Sequence, residues 1–430
     1  MREYPYWWDT VPKSEVRSQK SEVPERADVV VVGAGYTGLS AARRLAMSGA
    51  SVVVFDRERA GWGASSRNGG QVLTGLKLDP STLVARYGER RARELFDGAN
   101  ESIAYLESVI VGDSIDCDYE RTGHIQAAWK PSHFEAFKAE QDLLARAFDH
   151  RVELLPRSEQ RAEIASDVYH GVLIDPKSAS LNPAKYVGGL ADAVARRGVR
   201  IAEGVAVDRL ERAGAGWRVA VSAPSAAGRE IHARDVVLAT DAYSDRSADT
   251  LRRRLVAVGS YVIATEPQAP TLAAALLPNR RMAFDSKNFL YYFRVTDDHR
   301  ILFGGRAEFT RPTAGTTRRA AEILRVGMRR VFPQLESAAV EYAWGGNVAF
   351  ARDQMPHAGR LDGAFVAGGY AGHGIAMATW LGDTIGRLAA GQHVDHPFTK
   401  DPFPAIPFYT GTPWFLPLLG MYYSVKDWLT

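Results

Sequence analysis

Gly33, Gly35 and Gly38 stand in the run GAGYTG, between DVVVV and a segment whose Leu39, Ala42, Leu45 and Ala46 recur at helical spacing. A strand, a glycine turn and a helix in that order suit the pyrophosphate of a dinucleotide. Gly33 allows the tight turn, Gly35 lets backbone approach the phosphates, and Gly38 lets the helix lie close on the strand. Amides and the positive end of the helix then face the anion, with Tyr36 and Thr37 inside the loop. Asp56 closes the next β-branched run, SVVVFD, where its carboxylate can accept hydrogen bonds from a ribose, and Arg57 follows it. NAD and FAD share this fingerprint.

A second glycine-rich loop, GWGASSRNGGQ, occupies residues 61–71 just past that strand. Ala64, Ser65, Ser66, Arg67, Asn68, Gly69, Gly70 and Gln71 offer hydroxyls and amides to phosphate or to a ring system. A nicotinamide cofactor has no evident need of such a loop, so the two loops together point to FAD. Far downstream, GGYAGHGIAM brings Gly369, Gly372, His373, Gly374 and Ile375 to a strand end, a glycine turn and a helix start. Val207, Ala239, Thr240 and Gly345 complete the residues expected around the cofactor. The histidines include no helical HxxxH pair and no cysteine-rich partner cluster, so no metal site is expected.

These loops need strands and helices to hold them. DVVLAT (Asp235 to Thr240) and GAFVAGG (Gly363 to Gly369) repeat the buried-strand texture of the first two runs. Gly49 can close the first helix in a left-handed cap. Residues 82–147 read as mostly helical and charged, with a strand-like CDYERTGHIQAAW inside, whereas 255–350 alternate apolar and polar residues, as in FLYYFRV and RILFGG. SAPSAAG (Ser222 to Gly228) reads as a loop. The expected architecture is a two-domain α/β (α+β) chain. A discontinuous nucleotide-binding Rossmann domain covers 27–78, 179–243 and 353–400. A second domain covers 79–178 and 244–352, and the tails 1–26 and 401–430 dock on the body.

Composition agrees with a globular enzyme: 430 residues, 46% hydrophobic and 24% charged, are enough for more than one core. The net charge of +3 advertises no nucleic-acid partner, and Arg252-Arg253-Arg254 is expected on a solvated helix face. Cys117 is the sole cysteine, which excludes an intrachain disulfide and fits a reducing cytoplasm. The first residues are charged and aromatic where a secretory signal would be apolar, so the mature protein is expected to begin near Met1. The apolar run WFLPLLGMYY is broken by Pro417 and Gly420 and is too short to span a bilayer, which leaves a docked tail or a peripheral membrane contact.

YWWD near the N-terminus, GAGYTGLSAA, GWGASSRNGGQ, VIATEP, RILFGG, YAWGGN and GYAGHGIAM together resemble the flavoprotein superfamily of D-amino acid oxidase, glycine oxidase and sarcosine oxidase. The resemblance runs nearly end to end, and RNGGQ, IATEP and YAWGGN narrow it to the gamma-glutamylputrescine oxidase group. It implies a glutathione-reductase-like FAD domain with an antiparallel substrate sheet above the flavin. It also implies catalytic roles for His373 and Gly374, whose amides at a helix N-terminus would stabilise negative charge on the reduced flavin. Tyr291, Tyr292 and Trp344 are candidates for aromatic walls around the substrate.

Related enzymes attach flavin to a cysteine before the last helix or to a histidine near the early serine-rich loop. Neither residue is present here, so noncovalent FAD is expected. The chemistry implied is hydride transfer from the carbon beside an amine nitrogen to flavin, giving an imine that water hydrolyses, with oxygen or another electron acceptor downstream. In amino acid oxidases of this kind an arginine clamps the substrate carboxylate shortly after a tryptophan-glycine strand. That position falls on Val348, with Arg294 and Arg352 as displaced alternatives, which favours a small amine of the gamma-glutamylputrescine type. Lys287 is the candidate for a lysine beside the flavin. An N-methyl or secondary amino acid oxidase or dehydrogenase, an RNA-modifying flavoenzyme and a non-catalytic flavoprotein share the same motifs.

Overall fold

The computed structural model describes residues 1–12, 23–223, 226–305 and 313–416. The C-terminal apolar run and tail lie outside the described residues beyond Leu416, and the N-terminal tail is described over 1–12 and from 23 onward.

Short β-branched runs with no polar side chain to expose become buried parallel strands. Ala364–Gly368, Ala226–Leu238, Arg26–Val32, Val52–Asp56 and Arg200–Glu203 lie side by side in that order, all parallel. His357–Leu361 adds an antiparallel edge, and the hairpin of Ala206–Ala213 and Gly216–Ala223 extends from Ala226–Leu238. The segment expected as the loop SAPSAAG is mostly strand: Ser222 pairs with Ala206, and Gly228 belongs to the following strand. Ala223 pairs with Ala226 across the hairpin.

Helix Tyr36–Met47 covers one face of this sheet and ends at Gly49, whose φ of +82° is the left-handed cap. Helix Gly374–Ala389 crosses it closely. A methyl at Gly382 would strike the Thr37 carbonyl, and one at Gly386 would come within 2.9 Å of the Ala41 carbonyl.

The second sheet runs Val340–Ala351, Leu255–Thr265, Ile301–Gly305, Tyr291–Val295, Met282–Asp285, His124–Ala127, Gly171–Asp175 and Glu153–Pro156. Its pairs are antiparallel except that between Met282–Asp285 and His124–Ala127. Only four residues of the strand-like CDYERTGHIQAAW, His124–Ala127, form a strand. Helix Ala314–Val331 backs the sheet, burying Leu324 and Met328 against Phe293 and Phe303. Helix Pro131–Phe148 lies beside it, and helix Pro80–Gly112, kinked at Gly88, packs on that helix and on Gly374–Ala389. The arginine triplet is not a solvated helix face: the helix there is only Asp249–Arg252, and Arg254 donates to the carbonyls of Thr250 and Phe403. Among the described residues no helix is long and apolar enough to cross a membrane.

Candidate active site

A cavity of about 1200 Å³ lies where the two sheets meet, walled by the three glycine segments and by one face of the antiparallel sheet. It is larger than a pocket for one drug-sized ligand.

At one wall Gly33 adopts φ +104°, and a Cβ there would sit 2.8 Å from the Ala239 carbonyl. A Cβ on Gly38 would collide with the Gly33 carbonyl. Each glycine is therefore needed, one for its backbone angle and one for close approach. Helix Tyr36–Met47 starts at Gly35, which has no side chain to cap it, while Ser65 Oγ accepts the Tyr36 amide at 3.0 Å. Asp56 holds the turn from inside: one carboxylate oxygen accepts Ala34 N at 2.8 Å and the other Glu58 N at 2.9 Å. Burial raises its pKa. Gly33, Gly35, Tyr36, Thr37, Asp56 and Arg57 line the cavity, whereas Gly38 acts beneath it in helix packing.

The second loop is held by the N-terminal aromatic segment. Trp7 Nε1 donates to Asn68 O at 2.9 Å, and Trp8 Nε1 to Ser66 Oγ at 2.8 Å. Trp344 Nε1 donates to Arg67 O at 2.9 Å. Arg67 lies between the Trp8 and Trp62 rings and donates to the carbonyls of Trp62 and Gly345. Burial lowers its pKa, and these π faces and carbonyls offset part of that cost. Ala64, Ser65, Arg67, Asn68, Gly69 and Gln71 line the cavity; Ser66, Gly70 and Gly345 do not, because their contacts face the supporting layer.

The third segment closes the opposite side. Gly369 N donates to Asp241 Oδ1 at 2.9 Å, and the Tyr370 and Thr37 hydroxyls share a 2.7 Å hydrogen bond that ties this turn to the first loop. Burial pushes Asp241 up to about 6. His373 precedes the helix start at Gly374, and its buried Nδ1 has no hydrogen-bond partner among the described residues. Burial, with the nearby charge of Lys77, brings it down to about 3, so the ring is neutral. Gly372, His373, Gly374 and Ile375 line the cavity with Val207, Ala239 and Thr240; Gly369 lies behind it.

The sheet face follows strand alternation. Val256 pairs with Phe350, Val258 with Val348 and Ser260 with Gly346, and all six line the cavity. Trp344 shares that face but is covered by Tyr6 and Trp7, so it is a support of the second loop and not a substrate wall. Tyr291 points to the other side, against Phe303 and Gly327, while Tyr292 lies over Gly69 and Gly304 on the cavity side. A single step along the strand separates the two. Arg294 is also excluded as a carboxylate clamp: it is buried and donates to the carbonyls of Gly70 and Leu181. Arg352 does line the cavity, at its exposed rim. Lys287 lines it too, paired with Asp285 at 3.0 Å and set over the Tyr291 ring.

Sequence reasoning missed Asp241, Tyr243 and Tyr370. Tyr370 stood inside a quoted motif, but its role depends on Thr37, far away in sequence. Cys117 is buried and lies outside the lining, with its thiol pushed up to about 12 by burial.

The paired glycine loops, the close approach at Gly33 and the turn before Gly374 fit a dinucleotide with a ring system. A family model described as "DAO: FAD dependent oxidoreductase" matches residues 28–388. Gamma-glutamylputrescine oxidoreductase of Escherichia coli is 32% identical over 405 residues, covering 93% of this chain and 92% of that protein. A probable oxidoreductase, OrdL, of Haemophilus influenzae is 32% identical over 375 residues, 86% of this chain and 84% of its own. Among solved structures, glycine oxidase from Geobacillus kaustophilus superposes with a TM-score of 0.73 at 20% identity, over 90% of this chain and all of that one.

Proposed function

The chain belongs to the DAO family of FAD-dependent oxidoreductases, and on that premise we propose that it oxidises the C–N bond of an amine, of the gamma-glutamylputrescine type in preference to a free α-amino acid. The observation that carries the substrate choice is the Val258–Val348 pair on the cavity face. Carboxylate recognition calls for a bidentate donor such as arginine, and this pair presents methyl groups.

The three glycine segments would hold FAD noncovalently, and the bound flavin would supply the acceptor for the hydride equivalent from the carbon beside the nitrogen, with oxygen or another acceptor to reoxidise it. The protein's part is positioning and exclusion of water. Val256, Val258, Val348, Phe350 and the Tyr292 ring provide walls of low polarity, which favour the unprotonated amine that oxidation requires. The amides of the helix beginning at Gly374, with the positive end of its dipole, are placed to hold negative charge at the turn. His373, being neutral, adds no charge there. Released imine is hydrolysed to an aldehyde and ammonia. A single buried cysteine fits a reducing cytoplasm as the site of action.

Arg352 at the rim favours one second reading, an N-methyl or secondary amino acid whose carboxylate it would hold. Anaerobic mixing with a panel of amines and amino acids, followed by admission of air, tests both readings. Flavin bleaching by gamma-glutamylated or simple primary amines, reversed by air with release of hydrogen peroxide, is expected. Faster bleaching by sarcosine, glycine or D-alanine would overturn the choice of substrate.

A further inference from the structure

Part of the cavity wall comes from outside the glycine segments. Glu140 on helix Pro131–Phe148 and His150 just past its end line the same cavity, together with the apolar side chains of Phe96, Leu144 and Val152.

His150 is 1% exposed, its Nε2 is 2.6 Å from Asp175 Oδ2, and its Nδ1 has no hydrogen-bond partner among the described residues. Burial works against charge on Asp175, but hydrogen bonds from His150 and Thr74 hold it down to about 2. Asp175 takes the Nε2 edge of the ring, which leaves Nδ1 as the edge without a hydrogen-bond partner among the described residues. Glu140 has no hydrogen bond or ion pair among the described residues. Burial first, and then the charge of Asp79, push it up to about 7. Asp79 itself is committed to capping its helix through Thr82 N and Ser81 Oγ. Lys77, also on the cavity wall, bears on His373.

A carboxylate and an imidazole nitrogen that both lack a partner among the described residues, beside apolar side chains, describe a site for a polar group that donates. We propose that Glu140 and His150 form a subsite for a second cationic nitrogen of the substrate, remote from the nitrogen oxidised, so that the preferred substrates are elongated amines with two cationic ends. The subsite rests on the amine-oxidation reading for its purpose. Phe96, Leu144 and Val152 would accompany the methylenes between the two nitrogens.

The flavin-loaded enzyme and its Glu140→Gln variant are titrated anaerobically with 1,4-diaminobutane and with 1-aminobutane, by calorimetry, with flavin absorbance recorded in parallel. Gln matches the protonated acid in shape, and comparable flavin content shows that the variant has folded. The wild type should prefer the diamine by about tenfold or more, as expected for a charge-assisted contact. Glu140→Gln should abolish that preference, and Glu140→Asp should keep part of it. No preference in the wild type, or one undiminished in Glu140→Gln, overturns the subsite. Binding and bleaching separate the two claims: a diamine preference that depends on Glu140 without bleaching keeps the subsite and refutes amine oxidation, and bleaching with an unaltered preference does the reverse.

Discussion

At Gly38 one added methyl would meet the Gly33 carbonyl, so Gly38→Ala must push the helix off the strand and distort the loop. Flavin content of the purified variant, read as the ratio of visible to ultraviolet absorbance, is expected to fall at least tenfold. Val348→Arg tests the opposite kind of change, adding a donor to the apolar face; it should raise the ratio of glycine to amine turnover by about an order of magnitude or more. Asp241 gives a pH signature. Its folded pKa of about 6 lies above the ordinary carboxylate value because of burial. The folded state therefore binds this proton more tightly, and the stabilisation is complete below about pH 4 and lost as pH rises through 6. Asp241→Asn should reduce the slope of melting temperature against pH between 4 and 6.5, and an unchanged slope would contradict this. Asp175 has the opposite sign and acts only below about pH 4, whereas Asp285, raised to about 6, and Glu140, raised to about 7, share the sign and window of Asp241, so the variant should lose part of the slope and not all of it.

The elements differ in how far sequence could reveal them. The strand, turn and helix at 26–56 are legible because each signal is local: β-branched residues, glycines and helical spacing within one stretch. The walls of the site are not. Choosing Tyr292 over Tyr291 requires the pairing of Tyr291–Val295 with Ile301–Gly305, since alternation tells only that the two point apart. Trp344 failed as a wall because a segment from the other end of the chain covers it. That segment, Tyr6–Thr10, was visible as an aromatic run without an evident purpose, and the structure places it under the second glycine loop. Trp7→Phe keeps most of the apolar area and removes one donor to Asn68 O. A loss of about 1 kcal/mol is expected, seen as a lower melting temperature and faster flavin release. Equal flavin release in variant and wild type would remove the N-terminal segment from the cofactor's support.

Across the whole molecule, a parallel sheet carries the glycine loops and an antiparallel sheet supplies the apolar face over them. The cavity between them has no cysteine in its lining, and the early serine-rich loop carries no histidine, so acid or heat denaturation should release all the flavin into the supernatant; colour retained on the polypeptide would contradict noncovalent binding. Site chemistry follows from this joint, where low-polarity walls meet a helix N-terminus and a neutral imidazole. The most direct test is the anaerobic rate of flavin bleaching by gamma-glutamylated 1,4-diaminobutane compared with glycine at equal concentration. Faster bleaching by the amine is the expected result, and faster bleaching by glycine, or none by either, would contradict the account.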